Sequence, residues 1–296
     1  MGTQAHQGKQ KELCMNIEHQ ESRSIAADRT EIYQQSWQPA DRPIQAIVAI
    51  VHGYAEHSNR YIHVATNLAA QGFAVYSFDL RGHGKSGGNR CFVNSFSDYL
   101  TDLDRFLTEI RQHHPQRELF LLGHSLGGAI ALRYVLDYQT SLQGLILSAP
   151  FLGSRAENTP APVVASIQLL SQFLPKLPSV RVDSSQISSD PAIVQAYRTD
   201  PLVNTAKMPL RTLAEIFRNI HQIQHRQHAI ELPILIMHGT ADGLAHVSHS
   251  ESLAAGVQST DKTLKLYPGL YHEIFNEPDR SRVFTDLHQW LTTHSS

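Results

Sequence analysis

Two rhythms of apolar residues run through this chain. Short, nearly unbroken apolar runs recur at 44–51, 73–78, 119–122, 142–148 and 233–237, and 263–267 reads as a further strand. Runs of this length without polar alternation predict strands buried on both faces. Between them lie longer segments whose apolar residues fall three and four apart. These are 61–71, closed by Gly72; 97–112, with Leu100, Leu103, Phe106, Leu107 and Ile110 and a stop at Pro115; 129–138; 247–255; and 280–293. They predict helices. Ahead of the first run, 21–37 mixes polar and β-prone residues around Ala27-Asp28-Arg29, as in a hairpin that leads into a sheet. Strand and helix alternating in this way predict an α/β fold, with a mostly parallel central sheet and helices on both faces.

After Pro150 the alternation breaks. From 151 to 229 there are no convincing strands, several prolines, and one helix-like apolar segment carrying Val163, Val164, Ile167, Leu169, Leu170, Phe173 and Leu174. The simplest expectation is a helical cap inserted between late strands, over a core made of 17–150 and 230–296, with a disordered tail at 1–16. The apolar surplus of the cap fits helices packed on the body. It fits equally a lid that lines an acyl pocket or dips into a lipid surface.

Chemistry concentrates where strands end. The run Leu119-Phe120-Leu121-Leu122 passes into Gly123-His124-Ser125-Leu126-Gly127, and a helix follows. G-x-S-x-G between a strand and a helix is a sharp turn that holds a serine hydroxyl out at the top of the sheet, near the positive end of the helix. Ser125 is therefore the candidate nucleophile. A serine needs a base, and the base needs an orienting carboxylate. In this arrangement the chain order is Ser, then Asp or Glu, then His. Asp242 is the first acidic residue after the strand 233–237, and His272 follows the strand 263–267 through Pro268-Gly269, so both fall at strand carboxyl ends as Ser125 does. His246 and His249 begin a helix, and Asp261 precedes a strand, at the wrong end of the sheet. The oxyanion of a tetrahedral intermediate would then be held by the backbone N–H of Leu126 and that of Tyr54, in the turn His52-Gly53-Tyr54 after the early central strand.

Composition narrows the alternatives. A formal net charge of -2 over 296 residues argues against nucleic acid and against general electrostatic attachment to anionic membranes. The two cysteines, Cys14 and Cys91, supply neither a disulfide framework nor metal-type spacing. With no apolar run long enough to span a bilayer and no secretory pattern in the first twenty residues, the expected setting is cytoplasmic, with room for peripheral membrane contact through the cap. His221, His225 and His228 could share a helical face at metal-binding distance, but glutamines surround them without a carboxylate or cysteine, which favours a solvated face. The string from His52 to His57 has one residue too many for a zinc motif, and 82–88 reads as a structural turn. No metal is expected.

His52-Gly53-Tyr54-Ala55-Glu56-His57-Ser58-Asn59-Arg60-Tyr61, the loop 79–87, Gly123 to Gly128, the stretch 261–267 and Tyr271-His272 together resemble the monoacylglycerol lipase and lysophospholipase branch of the α/β-hydrolases. The likeness extends into the cap at 200–203 and 207–213. The resemblance implies the α/β-hydrolase fold, a triad of Ser125, Asp242 and His272, no metal or organic cofactor, and a cap forming an apolar tunnel for one acyl chain. It suggests that Glu56 and Arg60 shape a polar pocket near the glycerol head group; a structural ion pair one helical turn apart is the other reading. Tyr54 is larger than the small residue common there, and Ala245 stands where some members carry a cysteine. The implied activity is hydrolysis of single-chain lipid esters, foremost monoacylglycerols. Lysophospholipids, small soluble esters and thioesters are alternatives, and a non-catalytic binder on this fold is the distant one.

Overall fold

The structure, a computed structural model, describes residues 16–154 and 159–296. Apart from Asn16, the expected tail lies outside the described residues, as does Cys14. In chain order the elements are β1 (Ile17–Ile25), β2 (Glu31–Pro39), β3 (Ile47–Val51), α1 (Ile62–Ala69), β4 (Ala74–Phe78), α2 (Phe96–His113), β5 (Leu119–His124), α3 (Leu126–Tyr138), β6 (Gly144–Ser148), α4 (Ala161–Phe173), α5 (Pro191–Thr199), α6 (Leu210–Arg226), β7 (Ile234–Gly239), α7 (Val247–Gly256), β8 (Lys262–Tyr267) and α8 (Ser281–His294). The strands form one eight-stranded sheet in the order β1-β2-β4-β3-β5-β6-β7-β8. β1 pairs antiparallel with β2, and β2 with β4, while every pair from β4 to β8 is parallel.

The unbroken apolar runs have a direct cause. Successive side chains of a strand point to opposite faces, and here both faces are covered. Ile47, Ala49 and Val51, with Leu119 and Leu121, Leu145 and Leu147, and Ile234 and Ile236, join one core, packed with residues of α2, α3 and α6. Val48 and Ile50, with Phe120 and Leu122, Ile146, and Leu235 and Met237, join the other, packed with α1 and α8. Each strand thus feeds two cores by turns, so it has no polar face to show in the sequence.

The helices obey ordinary end rules. α2 starts at a capping box in which Ser95 accepts from the Ser97 N–H and Asp98 accepts from the Ser95 N–H. Between β6 and β7 the chain forms α4, α5 and α6 and, among the described residues, only an isolated bridge of Pro178 to Pro209 in place of strands. α6 is amphipathic and buries Leu213, Ile216, Ile220 and Ile223. α4 does not follow that pattern. Its only fully buried residue is Ser171, while Val163, Leu169, Leu170 and Phe173 are exposed, Phe173 at 75%. Leu174, Leu177 and Val180 extend the same uncovered apolar surface. No helix among the described residues is long and apolar enough to cross a membrane.

Candidate active site

Because β3 to β8 run parallel, their carboxyl ends lie along one sheet edge. The turn after β3 carries Tyr54, the turn after β5 carries Ser125, the loop after β7 carries Asp242 and the loop after β8 carries His272. Register keeps them level: Val51 pairs with Gly123, His124 with Ser148, and Gly239 with Tyr267.

Ser125 stands between β5 and α3 with φ 51° and ψ -117°. A non-glycine residue at positive φ is costly and persists only where its surroundings impose it. They do so here. The Ser125 N–H donates to Ser148 O at 3.1 Å, and Ser125 O accepts from the N–H groups of Ala129 and Phe151. The flanking glycines allow the turn: a Cβ on Gly127 would lie 2.1 Å from Val51 O, and one on Gly123 would lie 2.4 Å from Gly127 O. Leu126 is the first residue of α3, so its N–H has no acceptor within the helix.

The other two groups meet across the edge. Asp242 Oδ2 accepts from His272 Nδ1 at 2.6 Å, and the carboxylate side chain is fully buried. The other oxygen, Oδ1, accepts from the N–H groups of Leu244 and Ala245 at 2.7 and 2.9 Å. A second imidazole completes the cradle: His238 Nε2 lies 3.1 Å from Asp242 Oδ2 and 3.0 Å from Ala245 O. Two acceptors at one nitrogen put the proton there, so Ser250 Oγ, 2.7 Å from His238 Nδ1, is the donor of that bond. Burial works against charge at Asp242, yet His272 and His238 hold its carboxyl well below the usual carboxylate range. At His272 burial pulls the pKa down, but the Asp242 charge and hydrogen bond outweigh it and leave the imidazole above its ordinary 6.5.

His124 ties Ser125 to this pair. It precedes the serine, and its ring centroid is 4.7 Å from that of His272. Its Nδ1–H donates to Ser148 O at 3.0 Å. Burial, with repulsion from His272 behind it, pushes its pKa down to about 3, so it stays neutral beside His272. The His52-Gly53-Tyr54 turn closes the site from the other side. A Cβ on Gly53 would fall 3.1 Å from Ser125 Cβ and 3.2 Å from His124 Cδ2. The Tyr54 ring is turned edge-on to His83, with centroids 5.7 Å apart.

Glu56 and Arg60 pair with each other, Arg60 Nε to Glu56 Oε2 at 3.1 Å; Glu56 is buried and Arg60 is nearly so. The 79–87 loop is the buttress beneath them: Asp79 accepts from the Ser58 N–H and Oγ–H and from the Lys85 N–H, all at 2.6 to 2.7 Å. The rival groups lie elsewhere. Asp261 pairs with His294 at 2.9 Å, and His246 caps α7. His221 and His225 are exposed on α6 with their Nε2 atoms 2.9 Å apart, whereas His228 lies past the end of that helix. Sequence reasoning missed His238 and Glu273. His238 lies four residues before Asp242 and is tied in by Asp242, Ala245 and Ser250 of the loop and helix after β7, whereas Glu273 takes its cation from Arg60, 213 residues away.

A strained serine on a strand-to-helix turn, at the edge of a mostly parallel eight-stranded sheet, defines an α/β-hydrolase of the serine hydrolase class. The chain belongs to the family whose model is described as serine aminopeptidase, S33, which matches residues 42–279. It is 36% identical over 258 residues to a monoacylglycerol lipase of Mycolicibacterium smegmatis, covering 87% of this chain and 91% of that one. With a monoglyceride lipase of Rattus norvegicus it shares 30% over 270 residues, 90% of this chain and 89% of the other. Among solved structures it resembles the monoacylglycerol lipase of Paleococcus ferrophilus, with a TM-score of 0.78, 29% identity, and coverage of 95% of this chain and 100% of that one.

Proposed function

We propose that this chain hydrolyses single-chain lipid esters, foremost monoacylglycerols, to a free fatty acid and the alcohol. The observation that carries the reading is the 2.6 Å contact of His272 with a buried Asp242, on the same sheet edge as the strained Ser125. In this mechanism His272 Nε2 takes the Ser125 proton as Oγ attacks the ester carbonyl carbon. The carbonyl oxygen becomes an oxyanion held by the Tyr54 and Leu126 N–H groups. The C–O bond to the alcohol then breaks, and the alcohol oxygen takes the proton from His272. An acyl-Ser125 ester remains. Water, deprotonated by His272, attacks it and releases the acid, and the proton returns to Ser125. No metal or organic cofactor enters these steps.

Residues 151–229 act in this reading as a cap over the site. Segment 200–204 supports that placement: Asp200 contacts His57 at 2.9 Å, and the Asn204 N–H donates to Ala55 O at 2.9 Å, one residue beyond Tyr54. The uncovered apolar surface of α4 and of Leu174, Leu177 and Val180 suits contact with the lipid surface from which a single-chain substrate is drawn. Each large side chain buried in lipid contributes about 1.5–3 kcal/mol. The double variant Leu169→Ser with Phe173→Ser should therefore lose at least tenfold in co-sedimentation with phosphatidylcholine vesicles, while turnover of a dissolved short-chain ester stays as in wild type. Unchanged vesicle binding would remove the lipid-surface role.

The reading as a whole is tested by fatty-acid release from a long-chain monoacylglycerol, the matching lysophospholipid and a short-chain soluble ester. Preference for the monoacylglycerol supports it. Preference for the lysophospholipid moves the head group, and turnover of the short ester alone removes the lipid assignment.

A further inference from the structure

Three parts of the chain meet at one guanidinium: its own turn, the loop after β8, and α5. Arg60 lies in the turn before α1. Its Nε reaches Glu56 Oε2 at 3.1 Å, its Nη2 reaches Glu273 Oε2 at 2.5 Å, and its guanidinium lies 4.8 Å from the centre of the Tyr197 ring on α5. Each partner serves another structure. Glu56 Oε1 accepts the Gly53 N–H at 2.6 Å and the Tyr61 hydroxyl at 2.7 Å, so it fixes the turn that presents Tyr54. Glu273 directly follows His272; its N–H donates to Ile187 O at 2.7 Å, and its carboxylate also accepts from Asn276 Nδ2 at 2.7 Å. The side chains of Arg60, Glu56 and Glu273 are 9%, 4% and 6% exposed.

We propose that Arg60 is a positioning residue that sets the distance between the oxyanion turn and the His272 loop, rather than a group that binds the leaving alcohol. Two carboxylates on separate loops share one planar cation, and a guanidinium offers donors in a rigid fork that can hold both at once. Two of its nitrogens are taken up by protein carboxylates, and the guanidinium lies over the Tyr197 ring. Glu56 is occupied in the same way, by a backbone N–H, a phenol and the guanidinium. Burial opposes its charge, but the neighbouring imidazoles, Arg60 and Tyr61 keep its pKa below the ordinary value. Glu273 is shifted the other way, upward, by burial that Arg60 only partly offsets. Displacing either loop by about 1 Å would cost on the order of 100-fold in rate.

The inference rests on the ester-hydrolase reading, and its test separates the two. Arg60→Met and Arg60→Lys are compared with wild type on a monoacylglycerol and on the ethyl ester of the same acid, whose alcohol has no further hydroxyl. The rate at which a fluorophosphonate probe labels Ser125 is read alongside; it requires no ester substrate. Positioning predicts that Arg60→Met lowers kcat by about 100-fold on both esters alike, with KM nearly unchanged, and slows labelling to match. Arg60→Lys, which keeps the charge but loses the fork, should recover part of each. A loss confined to the glycerol ester and expressed mainly in KM, with ethyl ester and labelling untouched, overturns the proposal in favour of alcohol binding. If Arg60→Met does not fold, Arg60→Lys decides alone: wild-type values in all three readouts overturn it, and a parallel loss in all three sustains it. Failure of wild type on every ester would remove the hydrolase reading while the labelling rates still decide the role of Arg60.

Discussion

Ser125→Ala should remove roughly 10^6-fold of kcat, the scale seen when such a nucleophile is deleted from a hydrolase that keeps its oxyanion donors. The protein around it should not change. Alanine keeps the Cβ that already tolerates φ 51°, and the bonds that fix this turn are made by the Ser125 N–H and carbonyl rather than by the hydroxyl. Thermal unfolding followed by circular dichroism should superimpose on wild type, while fatty-acid release and covalent labelling by a fluorophosphonate both vanish. Release that survived in the variant would assign the chemistry to another group. Labelling that survived would place the reactive serine elsewhere in the chain.

Asp242→Asn has the second largest expected effect, about 10^4-fold in kcat, and the hydrogen bonds say why. Oδ1 accepts from two backbone N–H groups, Leu244 and Ala245, which cannot turn around. The asparagine oxygen must stay with them, so its NH2 group faces His272 Nδ1 and His238 Nε2. His272 Nδ1 is then forced to accept, its proton moves to Nε2, and the imidazole presents a donor to Ser125 where a base is required. A pH signature should accompany the loss. His272 acts as base only when neutral, and Asp242 raises its pKa above 6.5 against the effect of burial. Wild-type kcat/KM should therefore rise with pH through a midpoint above 6.5. With the charge removed, burial prevails, and the midpoint of the residual activity should move to lower pH. A midpoint that stayed in place would mean that the acid limb belongs to a different group.

Most of the architecture was readable because parallel strands covered on both sides have no polar residues to spare. The runs at 44–51, 119–122 and 233–237 could be nothing that tolerates water, and the turns after them are where an open α/β sheet places its ligands. Ser125 carried its own local signature in the flanking glycines. Asp242 and His272 had no such signature and are assigned by their place after strands, and the structure brings the two side chains together. What escaped was of two kinds. The uncovered face of α4 was invisible because an apolar stripe looks the same whether it is buried or bare, and only its neighbours decide. The contact of Arg60 with Glu273 spans 213 residues, and neither side chain shows in the sequence that the other exists. Glu56 and Arg60, four apart, were legible as a pair, but the third member decides what that pair does.

On the proposed reading, the order of the loops along the sheet edge also bears on when this protein becomes active. Ser125 follows the fifth strand, Asp242 the seventh and His272 the eighth. A chain in synthesis whose first six strands have paired holds a strained serine with no base to activate it and no carboxylate to orient one. If the three groups work together as proposed, hydrolytic competence waits until both β7 and β8 have joined the sheet, because each brings one partner of the serine.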